Sequence, residues 1–367
     1  MVKPDYVMVG GFLGAGKTTA LIRLAEHFTS QGRRVGLITN DQSQGLVDTT
    51  LINASGYPVR EITGGCFCCR FNSLTQAADE LASEARPDVF LAEPVGSCTD
   101  VRATVHYPLR RMYGDNYRIA PLSVLVDPLR ALRILGVESG KSFSPKVLYV
   151  YRKQLEEADF IVINKRDLLD ATRLSRLEAV LRTEFPQATV FAVSARVGTG
   201  LDAWFDRLAD DAAVWAPPDV DYDTYAEGEA LLGWLNATVE LRASRPFDGN
   251  ELMRHLAEAI HHTLLADGLE VAHLKMTLTP GDDLGDLGVL NLVGSDRAAE
   301  QPHRLQGDLD NGELIINLRA EGAPDVLHAA VTEALHGIGR FGVSATVAHL
   351  EHFRPGRPTP THRVVTV

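Results

Sequence analysis

The stretch Gly11-Phe12-Leu13-Gly14-Ala15-Gly16-Lys17-Thr18 constrains the fold of this chain more than any other. It fits GxxxxGK[ST], follows the apolar run Val7-Met8-Val9, and precedes Leu21, Leu24, Ala25 and Phe28, which recur at helical spacing. Strand, glycine-rich loop and helix in that order build a phosphate cradle. Glycines let successive backbone N–H groups turn inward, and the helix N-terminus adds positive potential. Gly11, Gly14, Ala15 and Gly16 are expected to wrap the phosphates and Lys17 to reach the β- and γ-phosphates. Thr18, with Thr19 beside it, completes the set, its hydroxyl binding Mg²⁺. The competing reading, a tight turn that merely needs glycine, is disfavoured because the loop and both flanks agree.

Such a loop calls for a parallel sheet wrapped by helices, and the first 200 residues alternate apolar and amphipathic runs accordingly. Strands are expected over 6–9, 35–39, 58–62, 89–92, 122–126, 160–163 and 190–193. Helical faces are expected at Leu74, Ala77, Ala78 and Leu81 and at Leu174, Leu177, Val180 and Leu181. The pattern stops near Trp215-Ala216-Pro217-Pro218, and an acidic, tyrosine-containing stretch follows. A second rhythm then begins: strand 232–241, helix 251–265, strands 271–278, 288–293 and 314–318, helix 323–335 and strand 343–350. That order resembles a ferredoxin-like α+β sandwich with one extra strand. At 367 residues two domains are the natural partition. The expected fold is α/β, a P-loop domain over 1–212, with a linker over 213–227, a smaller α+β C-terminal domain over 228–352 and a surface tail over 353–367.

Charge narrows the partners. Against 48 Asp+Glu stand 36 Lys+Arg, a net −12, so nucleic acid and anionic membrane surfaces are repelled rather than gathered. No run approaches the roughly 18 apolar residues of a membrane span, and the opening lacks a signal-peptide pattern. A cytoplasmic protein with no nucleic-acid or membrane partner is expected.

The base is read elsewhere. The run Phe160-Ile161-Val162-Ile163 ends in Asn164-Lys165-Arg166-Asp167, an NKxD motif at the carboxyl edge, where open α/β sheets bind ligands. A carboxylate at Asp167 accepts two hydrogen bonds from the ring N–H and exocyclic amine of guanine, a donor pair that adenine lacks. Lys165 is expected to lie along the base, Asn164 to tie this loop to the phosphate loop, and Ser194-Ala195 to offer a backbone N–H to the guanine oxygen. Glu93 ends another strand, in the place where a carboxylate binds Mg²⁺ or orients water, and Gly96 is placed to meet the γ-phosphate. Asp41 follows the second strand and is the other candidate catalytic acid, alongside Lys17 and Glu93. A plain surface acid opening a loop competes with both acidic assignments.

Three of the four cysteines fall in Gly64-Gly65-Cys66-Phe67-Cys68-Cys69, between the Asn40 and Glu93 segments. In an extended segment Cys66 and Cys68 share a side, and a glycine-aided turn swings Cys69 round to complete a three-thiolate face. Soft sulfur donors favour Zn²⁺ or similar ions over Mg²⁺, and three ligands leave a position for exchange. Cys98 is a possible fourth sulfur, although a solitary cysteine is more often a small buried hydrophobe. A buried or redox-active trio competes with the metal reading. His261, His262, His349, His352 and His362 read as ordinary surface or core residues.

Together GGFLGAGKTT, GGCFCC, EPVG and NKRD, in this order, resemble the CobW-like family of GTPases and GTP-dependent metallochaperones. The resemblance covers the first domain. It implies a GTPase that binds GTP and GDP, hydrolyses GTP slowly without metal or partner, and delivers zinc, or cobalt, to a client metalloprotein. It puts Cys66, Cys68 and Cys69 in the family's CxCC place and Glu93 and Gly96 in its ExxG place. Asp41 stands where a glutamate is expected, and no histidine-rich stretch is present. Two other functions compete: a GTP-dependent activator of a metal- or corrinoid-dependent enzyme without metal transfer, and a small-molecule P-loop kinase, against which NKRD argues. The oligomeric state is open.

Overall fold

The structure is a computed structural model that describes residues 3–41, 47–210, 215–281 and 286–366. It divides into two compact units.

The first unit is built on β1 (Asp5–Gly11), β2 (Val35–Asn40), β3 (Val59–Ile62), β4 (Val89–Glu93), β5 (Arg118–Ile119), β6 (Ser123–Val126), β7 (Phe160–Ile163) and β8 (Thr189–Ala192). Their order is β3-β2-β4-β1-β6-β7-β8, with β5 also paired to β1, and every pairing is parallel. From β1 the chain moves to β2 and β3 on one side. After β4 it crosses to β6, β7 and β8 on the other, so a switch point opens at the carboxyl end of β1, where such sheets bind ligands. Both faces of these strands are buried, which explains continuous runs such as Phe-Ile-Val-Ile in β7 instead of alternation. The helix Lys17–Ser30 lays Leu21, Leu24, Ala25 and Phe28 on this sheet. Each fully buried aliphatic side chain of this kind is worth roughly 1.5–3 kcal/mol, so the apolar stripe holds the helix start at the sheet edge.

The second unit carries β9 (Leu232–Phe247), β10 (Glu270–Pro280), β11 (Gly288–Leu292), β12 (Glu300–His303), β13 (Leu309–Glu321) and β14 (Val343–Phe353), ordered β12-β11-β10-β13-β9-β14 and antiparallel throughout. Strands β9, β10, β13 and β14 with helices Gly249–Ala266 and Pro324–His336 form the ferredoxin-like pattern, the first and third strands central. Leu256 and Ile260 of one helix and Leu327 and Val331 of the other share a core with Leu274 and Ile316.

Three details depart from the sequence reading. Two strands rather than one extend the ferredoxin-like core, because Glu300-Gln301-Pro302-His303 pairs as an edge strand; its polar, proline-containing sequence has no alternation to read. The two-residue β5 is likewise too short for a pattern. Within the expected linker, residues 213–214 lie outside the described residues, and the helix Tyr222–Leu231 begins where a linker was expected. The tail does not merely run over the surface: of the described residues, 357–366 belong to the first unit, while 47–50 group with the second.

Candidate nucleotide site and cysteine cluster

The phosphate loop is shaped by positions that only glycine can occupy. Gly11 (φ 130°) and Gly16 (φ 88°) are left-handed, and a Cβ would stand 2.3 Å from the Leu125 carbonyl oxygen at the first and 2.5 Å from Asn164 Nδ2 at the second. Gly16 is also the N-cap of the helix Lys17–Ser30, which no side chain caps, so the helix start faces the loop. Lys17 Nζ lies 3.8 Å from Glu93 Oε1, and the Thr18 hydroxyl donates to the same oxygen at 3.3 Å, all three residues buried. The structure therefore brings Lys17, Thr18 and Glu93 together. A hydroxyl and a carboxylate side by side are hard oxygen donors that fit Mg²⁺. Gly96 presses on the loop from the other side: a Cβ there would stand 3.1 Å from the Leu13 backbone nitrogen. Asp41 sits at the end of β2, its N–H donating to the Ile62 carbonyl at 3.1 Å.

Asn164 clamps two loops at once. Its Nδ2 donates to the Ala15 carbonyl at 2.9 Å and its Oδ1 accepts from the Ala195 N–H at 3.0 Å. That second bond corrects one expectation. The Ala195 N–H is engaged by Asn164, and the Ser194 N–H donates to the Thr199 carbonyl at 2.9 Å, so neither is directed at a base. Lys165 adopts a left-handed φ of 52° and its ammonium reaches the Gly14 carbonyl at 2.8 Å and Asp127 Oδ2 at 3.0 Å, which keeps its side chain against the phosphate loop. Asp167 pairs with Arg196 at 2.8 Å. Burial works against its charge, but hydrogen bonds from Ser194 and Arg196 hold its carboxyl below the ordinary value.

The cysteines converge by a different route from the expected extended strand. The segment is a tight turn in which the Cys66 carbonyl accepts from the N–H groups of Cys69 (3.0 Å) and Arg70 (2.9 Å), because left-handed Gly64 and Gly65 reverse the chain just before it. Phe67 is fully buried, and the sulfurs gather beside one another: Cys66–Cys68 2.7 Å, Cys66–Cys69 3.4 Å and Cys68–Cys69 3.7 Å. No disulfide joins any of the four cysteines. Around a tetrahedral zinc, sulfurs at about 2.3 Å from the ion stand roughly 3.8 Å apart, so the trio suits a soft cation once Cys66 and Cys68 part slightly. Hydrogen bonds from Cys68, Cys69 and Cys98 hold the Cys66 thiol well below its usual range. Hydrogen bonds with Cys66, Cys69 and Cys98, aided by burial, push Cys68 well above it, and the bond with Cys66 raises Cys69. One thiolate is therefore ready before the other two.

Several contacts escaped the sequence reading. Asn40 Nδ2 donates to the carbonyls of Ile62 (2.9 Å) and Gly65 (2.7 Å), linking the end of β2 to the glycine before the cysteines. Arg130 hydrogen-bonds the Leu13 carbonyl and stacks over Phe12, while Arg23 holds the Ala195 and Arg196 carbonyls at 2.9 and 3.1 Å. The tail covers the cysteine turn: the Thr359 N–H donates to Cys69 Sγ at 3.2 Å and the Thr361 N–H to the Cys68 carbonyl at 2.9 Å. Only the strand-end position of Asn40 was a sequence signal.

With this geometry in place, the sequence model described as "CobW/HypB/UreG, nucleotide-binding domain" matches residues 5–192, just over half of the 367. The chain belongs to the CobW/HypB/UreG family. The matched span runs from β1 into β8 and holds the phosphate loop, the cysteine trio and the NKRD segment of this CobW/HypB/UreG domain. Curated relatives include the protein named zinc chaperone CobW from Sinorhizobium sp, 28% identical over 217 residues, covering 53% of this chain and 60% of the relative. The protein named zinc chaperone YeiR from Escherichia coli (strain K12) is 30% identical over 164 residues, covering 44% and 46%. The chain thus spans about half the length of these relatives. Among solved structures, HypB from Archaeoglobus fulgidus aligns with a TM-score of 0.40 at 20% identity, over 55% of this chain and 87% of that one. Zn(II)-bound YjiA GTPase from E. coli aligns with 0.35 at 16%, over 91% and 99%. Both structural likenesses are too loose to bear on function. Among the described residues no helix is long and apolar enough to cross a membrane.

Proposed function

We propose that this chain is a GTP-binding and GTP-hydrolysing metallochaperone that holds a transition metal, zinc first and cobalt second, on Cys66, Cys68 and Cys69 and hands it to a client metalloprotein. The observation that carries the reading is the convergence of three thiols within 4.8 Å of one another, on a turn tied through Gly65 to Asn40 at the end of β2. Membership of the family and the names of the zinc-chaperone relatives support the choice of metal.

The roles follow from chemistry. Residues 11–19 cradle the phosphates, Lys17 neutralises the β- and γ-oxygens, and Asp167 selects guanine by accepting its two donors. Thr18 and Glu93 would hold Mg²⁺, which supplies charge neutralisation on the phosphates when bound. Glu93 or Asp41 orients the attacking water, and the Gly96 N–H meets the γ-phosphate. Asn164 positions the phosphate and base loops, and Ser194 and Ala195 line the base pocket. Turnover is slow until metal or client completes the site. A γ-phosphate drawing on Gly96 and on the Asn40 end of β2 pulls segments on either side of the thiols, so nucleotide state alters metal retention. Linkage then requires metal to tighten GTP by the same factor, about 5- to 150-fold for coupled sites.

Zinc titration of the full chain with a non-hydrolysable GTP analogue, with GDP and with no nucleotide tests this directly. Three distinct affinities are expected, and serine at Cys66, Cys68 and Cys69 should abolish binding. Equal affinities would leave an activator without nucleotide-coupled transfer, and efficient displacement of GTP by ATP would favour a kinase.

A further inference from the structure

Cys98 lies five residues past Glu93 and is buried. Its side chain is among the neighbours that lower the Cys66 thiol and raise the Cys68 thiol, so a fourth sulfur adjoins the trio from a different loop, beside the three that lie within 4.8 Å of one another. Residues 93–98 are held as a hydrogen-bonded turn. The Cys98 N–H donates to the Val95 carbonyl at 2.9 Å, and buried Gln154 donates through Nε2 to the carbonyls of Gly96 (3.0 Å) and Cys98 (2.7 Å). One end of this turn holds Glu93, which accepts from Thr18, and Gly96, packed on Leu13 of the phosphate loop. Its other end presents Cys98 to the cysteines. Beyond it the chain is pinned again, by Thr99 N–H on the Tyr225 hydroxyl at 3.2 Å and by Asp100 accepting from Tyr222 at 2.6 Å and Arg363 at 2.8 Å. A displacement at Gly96 therefore has little slack before it reaches Cys98.

We propose that Cys98 is the fourth sulfur ligand of the transported metal, and that it is the ligand through which the Glu93–Gly96 loop makes metal retention depend on nucleotide. Four thiolates make a closed site of the kind that holds zinc, whereas withdrawing one leaves an open position for a client's donor. The trio rides on the turn after β3 and Cys98 on the loop after β4, so an ion bound by all four bridges two segments that the tail also touches, through Thr361 on Cys68 and Arg363 on Asp100. This inference rests on the metallochaperone reading.

The test uses cobalt(II) as a spectroscopic stand-in for zinc, titrated into the full chain and into Cys98→Ser, with a non-hydrolysable GTP analogue or GDP. Near-ultraviolet thiolate-to-cobalt absorption counts sulfur ligands. In the GTP-analogue state Cys98→Ser should lose about a quarter of the intensity per bound ion, one ligand in four. The ratio of cobalt affinities between the two nucleotide states should fall from about 5- to 150-fold toward unity, while affinity for the nucleotide alone stays unchanged. Zinc X-ray absorption on the unaltered chain is independent of how the variant folds and should show four sulfurs. A three-sulfur shell, or an unchanged band and ratio in Cys98→Ser, overturns the role of Cys98 and leaves the metallochaperone reading standing. No cobalt absorption in the unaltered chain sinks both.

Discussion

At Asp167 burial works against the charged form, and Ser194 and Arg196 outweigh it, holding the carboxyl below its usual value. Asp167→Asn keeps the shape but turns one acceptor into a donor facing the donors of guanine. GTP affinity should drop by roughly 1.5–3 kcal/mol, a factor of about 10 to 150, and xanthine nucleotides, with a carbonyl in place of the amine, should gain. Competition against a fluorescent guanine nucleotide measures both. The thiols allow a second expectation at this scale. Cys66 is held low while Cys68 and Cys69 are raised, so near neutral pH an incoming ion must displace protons from the latter two. Apparent zinc affinity should climb by more than about tenfold per pH unit from pH 6 upward. A flat profile in a competitive chelator titration would contradict that order of ionisation.

At the scale of elements, the loop before the helix Lys17–Ser30 and the buried π-helical turn Arg102–His106 each carry a cost that can be measured. Gly16→Ala adds a Cβ in a left-handed residue, 2.5 Å from Asn164 Nδ2, so the bond from Asn164 to Ala15 must break. Strain and the lost bond together predict about 2–3 kcal/mol of destabilisation in urea unfolding, with loss of GTP binding. His106 is fully buried, with Nε2 against the Ala120 carbonyl at 2.9 Å, and burial, followed by the nearby Arg102 charge, pulls its pKa from 6.5 down to about 4. Between those values the unfolded chain holds the proton that the folded chain refuses, so stability falls with acid through this window. At pH 5 the loss is about 2 kcal/mol, and His106→Gln should flatten that part of the stability profile.

For the whole molecule, the contacts that span most sequence at the site join the tail to the cysteine turn, about 290 residues away. The bond from Thr359 N–H to Cys69 Sγ is a backbone contribution, so a side-chain truncation leaves it in place. Thr359→Pro removes the N–H within a segment already rich in proline, and His362 still packs edge-on against Phe71 at 5.0 Å. Zinc release to a chelator should quicken several-fold in this variant, since an N–H donor to a sulfur stabilises its thiolate, while GTP affinity is unchanged. Equal release rates would show that the tail only packs there.

The amino-acid order alone determined what neighbours can enforce on one another. The phosphate loop, the NKRD turn at the end of β7, the cysteine trio and the strand and helix periods of both units act over a few residues, and each left a pattern at that range. Even there the local geometry of Cys66 to Cys69 was read only in part: the glycine-aided turn that brings Cys69 round was expected, but Cys66 to Cys68 lie within that turn rather than in an extended segment. Only the tertiary structure decided that Asn164 meets Ala15, that Cys98 joins Cys66 and Cys68, that β12 pairs at an edge, and that the tail returns to the first unit. Such meetings close loops of up to hundreds of residues. Their entropy cost is met by the packing of the whole core rather than by any short stretch, so no local pattern records them.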